Sequence, residues 1–315
     1  MSALYLGFDL GGTNLRTAVA RIVGVDVTLV GRDARATPQS GPDAVVAALI
    51  DSARAALDAA GIPIGDIAAA GLSSPGPLDH RTGVIFTTQN IAGFVDSNVP
   101  IAERVANGLG GLPVFLDRDT VMAAIAEGTV GAAKGARDFV YLTVSTGVGG
   151  AIVSGGNVVR GASNTAGELG HFPVGFDRDV RCRCGSFGCV EAYAAGRNLA
   201  EAYGVSDASI VYAKAATGDA RASALIARAE LALQNLAVGI VNALNPERIV
   251  VGGSVAEHEP AHVIEPMRRA VAERAFKVPA AAVRIVPSAL GADVSVIGSA
   301  LAARDRVDGK GEWFL

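Results

Sequence analysis

The sequence predicts an α/β protein with two domains. Apolar, β-branched runs alternate along the chain with Ala-rich stretches of helical period, which is typical of strands alternating with helices. A length of 315 residues is long for one hydrophobic core, and the 50% of hydrophobic residues suffice for two. The order of apolar strand, glycine-rich turn and apolar return strand near residues 3–22 recurs at 139–159, which indicates a duplicated α/β unit.

The predicted elements follow in order along the chain. Residues 3–9 and 15–22 are predicted strands joined by a turn at Gly11 and Gly12. Residues 43–61 have the period of an amphipathic helix that ends at Gly61. The remaining predicted elements are strands at 67–74, 112–117 and 248–253, a strand pair at 139–159, a long helix around 224–245 and a last helix near 293–304.

Composition and charge disfavour several classes of function. The net charge is −4 and no Lys/Arg-rich tail occurs, so the electrostatic footprint of a nucleic-acid-binding protein is missing from the sequence. The first residues contain no basic start followed by a long apolar run, and no stretch reaches eighteen apolar residues without a polar interruption. We therefore expect a cytoplasmic protein that binds neither nucleic acid nor membrane, in a compartment where thiols stay reduced.

All three cysteines lie within one short segment. Cys182, Cys184 and Cys189 span eight residues, and His171 lies eleven residues before the first of them. An odd number of cysteines cannot form a closed disulfide framework, whereas three thiolates and one imidazole complete a tetrahedral zinc site. The alternative is a set of ordinary buried cysteines, although Arg181, Arg183 and Gly185 are unusual neighbours for a core strand. The segment predicts a structural zinc site.

Three glycine-containing turns can bind a nucleotide. Such turns let backbone N–H groups approach an anion closely, and Thr or Ser hydroxyls add donors. Each turn alone is more often a plain hairpin or strand-to-helix junction, and none has P-loop or dinucleotide-fingerprint spacing. Their repetition in both halves favours a nucleotide whose phosphates lie between two hairpins. The candidate residues are Asp9, Gly11, Gly12, Thr13 and Asn14 in the first turn, Ser145, Thr146 and Gly147 in the second, and Gly252 and Gly253 for adenosine.

The chain contains the motifs "DLGGTNLR" (9–16), "STGVGG" (145–150), "GELGH" with "CRCGSFGCVE" (167–191) and "VVGGSVA" (250–256), with "SSPGPLD" (73–79) and "QNIAGF" (89–94) as further loops. These motifs and their order along the chain resemble those of the ROK family (repressors, open reading frames, kinases) of the actin-like sugar kinase superfamily. The resemblance implies a two-domain actin-like (ribonuclease H-like) α/β fold with an interdomain cleft. It implies a small domain of residues 1–118 plus about 296–315, and a large domain of residues 119–295 that carries the zinc site.

The resemblance also assigns roles to residues. The catalytic carboxylate of the family falls on Asp119, with Asp117 as a competing carboxylate and an N-cap role for Asp119 as the structural alternative. Arg118 replaces the family Asn, which puts glucose preference in doubt; it either donates to the sugar or forms an exposed ion pair with Asp117 or Glu127. The implied sugar-binding residues are Asn90, Gly93, Arg118, Glu168, His171 and Glu191.

We therefore expect an ATP-dependent hexose kinase that phosphorylates the 6-hydroxyl of its sugar, with glucose as first choice. A fructokinase or an N-acylhexosamine kinase is the alternative within the family, polyphosphate is an alternative donor, and a sugar sensor without strong kinase activity is the alternative of another class. Family repressors carry a helix-turn-helix domain before the first phosphate motif, and this chain reaches Asp9 almost at once. The expected cofactors are ATP, Mg²⁺ held through waters near Asp9, and structural Zn²⁺; a homodimer is expected.

Overall fold

The computed structural model describes residues 2–86, 91, 93–94, 98–176 and 180–309. The chain divides into two compact units. Unit 1 contains residues 1–134, 160–165 and 292–315, and unit 2 contains residues 135–159 and 166–291. Residues 119–134 and 160–165 thus belong to unit 1, whereas the sequence-based boundary at 118/119 placed them with the large domain.

The described part of unit 1 contains seven strands and four helices. They are β1 Ser2–Leu10, β2 Asn14–Val23, β3 Asp26–Ala36, α1 Pro42–Ala60, β4 Ile67–Ser74, β5 Leu78–Asp79, β6 Val84–Ile85, α2 Ile101–Gly108, β7 Val114–Arg118, α3 Asp119–Thr129 and α11 Val294–Val307. Helix α3 packs against α11 and β7, which is the physical reason why it belongs to unit 1.

The described part of unit 2 contains five strands and seven helices. They are β8 Phe139–Val144, β9 Val148–Ser154, β10 Asn157–Val158, α4 Val190–Ala194, α5 Gly196–Tyr203, α6 Ala208–Ala216, α7 Ala220–Leu244, β11 Arg248–Gly252, α8 Ser254–His258, α9 Pro260–Arg274, α10 Lys277–Ala282 and β12 Arg284–Pro287.

The two main sheets have the same topology. In unit 1 the strand order is β3-β2-β1-β4-β7, with β1 antiparallel to β2 and parallel to β4. In unit 2 the order is β10-β9-β8-β11-β12, with β8 antiparallel to β9 and parallel to β11. In each sheet the first strand therefore lies at the centre, between an antiparallel hairpin and a pair of parallel strands. The repeat predicted from the sequence is confirmed.

Each unit has its own hydrophobic core. The core of unit 1 is formed by β1, β2 and β4 with α1 and α2, and its largest fully buried side chains include Phe8, Phe94 and Leu49. The core of unit 2 is formed by β8, β11, α7 and α9 and includes Leu142, Leu233 and Met267. These strands carry consecutive buried residues, as expected for central strands covered on both faces.

Helix α7 is the one helix of the described residues that is long and apolar enough to cross a membrane by length and composition. Its buried face, which includes Leu233, Leu236 and Ile240, belongs to the core of unit 2. A core helix of a folded domain passes the same test of length and composition, so the helix is explained by its packing.

Candidate functional site

The turn between β1 and β2 is fixed through its carbonyl groups. The Gly11 carbonyl accepts a hydrogen bond from Thr37 Oγ1 at 2.7 Å, the Gly12 carbonyl from Gln39 Nε2 at 3.1 Å, and the Thr13 carbonyl from the Thr37 N–H at 2.8 Å. Within the described residues, the N–H groups of Gly12 and Thr13 donate no hydrogen bond. A turn with bound carbonyls and available N–H groups is suited to bind an anion.

Asp9 lies on β1, directly before this turn. Its carboxylate accepts a hydrogen bond of 3.4 Å from Ser73 Oγ and lies 3.8 Å from a guanidinium nitrogen of Arg16. Burial raises the pKa of Asp9 above the ordinary carboxyl value, although Arg16 and Ser73 act in the opposite direction. Asn14 begins β2 on the other side of the turn and is exposed.

The turn between β8 and β9 is built in the same way. The Ser145 carbonyl accepts from the Gly196 N–H at 2.8 Å, the Thr146 carbonyl from the Arg197 N–H at 3.4 Å, and the Gly147 carbonyl from the Ser145 N–H at 2.9 Å. In the part of the chain that the structure describes, the Thr146 and Gly147 N–H groups donate to no acceptor. The second predicted phosphate turn therefore has the same hydrogen-bonding pattern as the first.

Glu191 lies against the second turn. Its Oε2 accepts a hydrogen bond from the Val148 N–H at 3.0 Å. A Cβ atom added at Gly147 would lie 2.9 Å from the same Oε2, closer than real Cβ contacts, so this position has room only for glycine unless the carboxylate moves. Glu191 was predicted as a sugar-binding residue, and the structure brings it to a phosphate turn of the same unit.

The third glycine motif joins the second turn. Gly253 has φ +93° and precedes α8, and a Cβ atom there would meet Thr143 Oγ1 and the Val144 carbonyl at 2.5 and 2.6 Å. Glycine is therefore required by both the backbone conformation and the close approach to β8. The next residue, Ser254, shares a 2.9 Å hydrogen bond with Ser145 between the two Oγ atoms. Gly252 ends β11, beside this contact.

Asp119 is the first residue of α3, at the end of β7. The N-cap position belongs to Arg118, and Asp119 Oδ1 accepts a hydrogen bond from the Thr120 N–H at 2.7 Å. The N-cap alternative for Asp119 is therefore wrong by one position. Asp119 is only partly buried.

Asp117 is fully buried and bound on both oxygens. Arg160 donates to Oδ2 at 2.6 Å and to Oδ1 at 3.1 Å, and Oδ1 also accepts from the Arg118 N–H at 2.8 Å. The side chain of Arg160 is 10% exposed, so the ion pair is shielded from water. Asp117 therefore fixes the backbone next to Asp119, and this engagement disfavours it as a competing base.

Arg118 is 2% exposed, so the alternative of an exposed ion pair is wrong. Its aliphatic Cγ and Cδ atoms lie beside Gly76 of the 73–79 loop, within 3.8 Å of where a Cβ would stand on that glycine. Of the two carboxylates named as its partners, Asp117 binds Arg160, and the buried Glu127 accepts from the Ala132 N–H.

The four predicted metal ligands come together in unit 2. One ligand atom from each of His171, Cys182, Cys184 and Cys189 lies within 4.8 Å of every other. Cys182 Sγ is 3.6 Å from His171 Nδ1, and Cys184 Sγ is 3.7 Å from Cys189 Sγ. No disulfide links the three cysteines. The set matches the Cys₃His donor chemistry of structural zinc sites.

The thiols of this cluster perturb one another. Burial, followed by contact with Cys184, raises the pKa of Cys189 to about 12. Burial also raises the pKa of Cys182. For Cys184 burial acts in the same direction, but hydrogen bonds from the Ser186 N–H and the neighbouring thiols outweigh it and lower the pKa. Crowded thiols cannot all ionise without a cation among them, so the cluster fits a divalent metal.

One turn of 3₁₀ helix, Leu169–His171, follows Glu168 and ends at His171, and the His171 N–H donates to the Glu168 carbonyl at 3.1 Å. The turn packs on the start of β9, where Leu169 contacts Gly150. Because Nδ1 of His171 lies at the thiol cluster, Nε2 is the ring atom left for another partner.

Two further residues were predicted to bind sugar, Asn90 and Gly93. Asn90 lies outside the described residues. Gly93 is exposed and lies beside Gly41 at the start of α1. Sequence reasoning missed Thr37, Gln39 and Arg160. Thr37 and Gln39 are polar residues directly after β3, which is a weak signal, and nothing in the local sequence indicates that Arg160 pairs with Asp117.

The family model described as the ROK family matches residues 5–306. Among curated relatives, a glucokinase of Halalkalibacterium halodurans is 29% identical over 93% of this chain and 93% of its own length. An N-acetylmannosamine kinase of Escherichia coli is 32% identical over 95% of this chain and 98% of its own length.

Two solved structures extend the comparison. The ROK hexokinase from Thermus thermophilus has a TM-score of 0.79 and 35% identity, with 98% of this chain and 100% of that chain covered. The ROK family glucokinase from Streptomyces griseus, in complex with glucose and AMPPNP, has a TM-score of 0.77 and 26% identity, with 96% and 100% covered. These neighbours have the two-domain actin-like ATPase fold, as the sequence motifs implied. From the match of the family model over nearly the whole chain, together with relatives above 30% identity, this chain belongs to the ROK family.

Proposed function

We propose that this protein is an ATP-dependent hexose kinase that transfers the γ-phosphoryl group to the 6-hydroxyl of its sugar. The observation that carries the proposal is the pair of matching phosphate turns, each with bound carbonyls and two available N–H groups. Such turns hold phosphate oxygens by backbone donors. The glucose and AMPPNP bound in the Streptomyces griseus relative support the same substrates here.

Asp119 is proposed as the general base. Its carboxylate takes the proton of the acceptor hydroxyl while that oxygen attacks the γ-phosphorus. The new bond is between the sugar oxygen and phosphorus, the broken bond joins phosphorus to the oxygen that bridges to the β-phosphate, and ADP leaves. The Asp117–Arg160 pair holds the adjacent backbone, which supports Asp119 rather than Asp117 in this role.

Asp9 is proposed to hold waters of the Mg²⁺ that accompanies the nucleotide. Its place directly before the first phosphate turn supports this role. When bound, Mg²⁺ offsets the charge of the phosphates. Ionised Asp9 is the form that accepts hydrogen bonds from such waters.

The cluster of His171, Cys182, Cys184 and Cys189 is proposed to hold a structural Zn²⁺. Four protein ligands leave no open position for chemistry, so the metal shapes the loop and does not act on the substrate. With Nδ1 of His171 directed to the metal, Nε2 is proposed to contact a sugar hydroxyl group, and the carboxylates of Glu168 and Glu191 are proposed to accept from further hydroxyl groups. The thiols require a reducing environment, which supports a cytoplasmic enzyme.

Glucose is the first choice of acceptor, and an N-acylhexosamine is the alternative. The glucokinase and N-acetylmannosamine kinase relatives support these two at similar identity. Arg118 bears on the choice because it stands where the family has Asn. A buried guanidinium only donates hydrogen bonds, whereas an Asn amide also accepts them.

The experiment is an ADP-release screen over hexoses and N-acylhexosamines, with ATP and polyphosphate as donors, on the wild-type protein and on Asp119→Asn. We expect one sugar with ATP to give the fastest turnover. The Asn variant should lose about two or more orders of magnitude in kcat, the scale of a positioned general base, and keep its sugar affinity. Glu103→Gln, an exposed change in the same unit, is the control.

Two results would contradict the proposal. If no acceptor gave sugar-dependent ADP release, the kinase proposal would be wrong and a sugar sensor would be favoured. Equal turnover in Asp119→Asn and the wild type would remove Asp119 from the base role.

A further inference from the structure

We propose that Glu191 is a positioning residue that couples the zinc loop to the nucleotide phosphates, in addition to its predicted contact with sugar. This inference rests on the proposed kinase function, because it concerns the second phosphate turn. The observation behind it is the hydrogen bond from the Val148 N–H to Glu191 Oε2 at 3.0 Å. Through this one oxygen, the carboxylate of Glu191 is attached to the turn that is proposed to bind the nucleotide phosphates.

The second oxygen of Glu191 is available for a ligand. Among the described residues, Oε1 accepts no hydrogen bond, and the side chain is only partly buried. A carboxylate has lone pairs on both oxygens, so Oε1 can accept from a sugar hydroxyl while Oε2 keeps the Val148 N–H. The same side chain can then serve the acceptor and the phosphate turn at once.

Glu191 is placed by the zinc loop. It lies in the first turn of α4, and the residue at the N-cap of α4 is the zinc ligand Cys189. The start of this helix is joined to the residues after His171, since the Val190 N–H donates to the Phe172 carbonyl at 3.1 Å and Pro173 pairs with Cys189. The proposed ligand Cys189 therefore directly precedes the helix that carries Glu191, and the residues directly after the proposed ligand His171 are hydrogen-bonded to the start of that helix.

The rest of the second turn depends on the same segment. The carbonyls of Ser145 and Thr146 accept from the N–H groups of Gly196 and Arg197, which follow α4 directly. The turn thus has three contacts with residues 191–197, and outside that segment Ser145 Oγ also contacts Ser254 Oγ. We infer that the zinc preorganises the turn through this segment, which lowers the cost of binding phosphate.

A competing effect makes the proposal falsifiable. A carboxylate next to a phosphate turn repels phosphate, so removal of Glu191 would tighten nucleotide binding if repulsion were the larger effect. If the hydrogen bond to Val148 is the larger effect, removal weakens binding. The sign of the change in nucleotide affinity therefore decides between the two.

The test is the affinity of the full-length protein for Mg²⁺–AMPPNP without sugar, by calorimetry, in Glu191→Ala, Glu191→Gln and the control Glu265→Ala. Glu265 is an exposed carboxylate on α9 of the same unit that pairs with Arg268. We expect Glu191→Ala to weaken binding about tenfold, the scale of a lost hydrogen bond to a charged group. Glu191→Gln should stay within about threefold, because its amide oxygen still accepts from Val148, and Glu265→Ala should not change the affinity.

Zinc removal is the second arm of the test. A chelator should weaken nucleotide binding of the wild type at least as much as Glu191→Ala does, and its effect should be smaller in that variant, because the variant has already lost part of the support that chelation removes. Zinc content by elemental analysis and the melting temperature show whether each variant is folded and loaded.

The outcomes separate the proposals. If the wild type does not bind Mg²⁺–AMPPNP, the proposed function fails. If it binds and Glu191→Ala binds equally or more tightly, the coupling by Glu191 is overturned while the kinase proposal stands. A Glu191→Gln variant that loses as much as Glu191→Ala, or additive effects of chelation and Glu191→Ala, would also overturn it.

Discussion

In unit 1, the turn after β1 is held by the side chains of Thr37 and Gln39, whereas in unit 2 the turn after β8 is held by the segment that follows the cysteine cluster. Both turns leave two N–H groups available, and both follow the central strand of a sheet with the same topology. The comparison shows one duplicated turn with two kinds of support, side chains that follow β3 in unit 1 and the segment after the cysteine cluster in unit 2.

The difference extends to the residues beside the turns. In unit 1, the backbone next to Asp119 is fixed by the buried ion pair between Asp117 and Arg160. In unit 2, the N-cap of the helix that carries Glu191 is a proposed zinc ligand, Cys189. We therefore expect the two units to respond to different perturbations, with unit 1 sensitive to loss of charge partners and unit 2 sensitive to loss of the metal.

Asp9→Asn is expected to have the largest effect on activity and an opposite effect on stability. Turnover should fall about a hundredfold or more, because a neutral amide is a poor partner for Mg²⁺ waters. Burial raises the pKa of Asp9 in the folded state. The contribution of Asp9 to stability is therefore fully present below its pKa in the unfolded chain and is lost as the pH rises through its pKa in the folded state. At neutral pH the ionised carboxylate destabilises the fold, and the Asn variant should therefore melt at a higher temperature.

Melting curves between pH 4 and 8 check this prediction. The difference between Asp9→Asn and the wild type should grow as the pH rises, and Asp58→Asn, an exposed change in α1, should show no such trend. A variant that is less stable than the wild type at pH 7 would show that Arg16 and Ser73 outweigh burial.

Arg160→Ala should destabilise unit 1 without acting on the metal loop. Removing one partner of a buried ion pair leaves a buried charge without compensation, so the free energy of unfolding should fall by about 3–5 kcal/mol. Turnover should fall as well, because Asp117 loses the partner that holds the backbone before Asp119. Chemical denaturation measures the first effect, and zinc content should remain at about one ion per chain.

The matched control is Arg54→Ala, which removes an exposed ion pair with Asp51 in α1. An exposed pair contributes at most about 1 kcal/mol. If Arg160→Ala were as stable as this control, the Asp117–Arg160 ion pair would not be what fixes the backbone next to Asp119.

Local sequence patterns were sufficient for much of this arrangement. Alternation and helical period predicted the central strands of both sheets, α1, α7 and α11, since each has a regular burial pattern within one segment. The cluster of four candidate metal ligands was predictable because three of them lie within eight residues and because cysteine and histidine side chains have few other reasons to cluster.

The contacts that support the site were not predictable in this way. Arg160 with Asp117 and Glu191 with Val148 are both separated by 43 residues, and each pair joins segments that no local period connects. The sequence motifs assigned Glu191 to the sugar site. They assigned the phosphate turns to other segments of the chain. The fold brings the phosphate turn and the zinc loop together, because β9 packs against the turn that carries His171.

The most direct test of this comparison is amide hydrogen exchange at one residue of each turn, measured by NMR with and without zinc. The Val148 N–H donates to Glu191 and the Thr37 N–H donates to the Thr13 carbonyl, so both amides should exchange slowly in the zinc-loaded protein. After chelation, we expect exchange at Val148 to become at least about tenfold faster, with exchange at Thr37 unchanged. Two results would contradict the claim that the metal supports the second turn and not the first: unchanged exchange at Val148 after complete loss of zinc, or an equal increase at both amides.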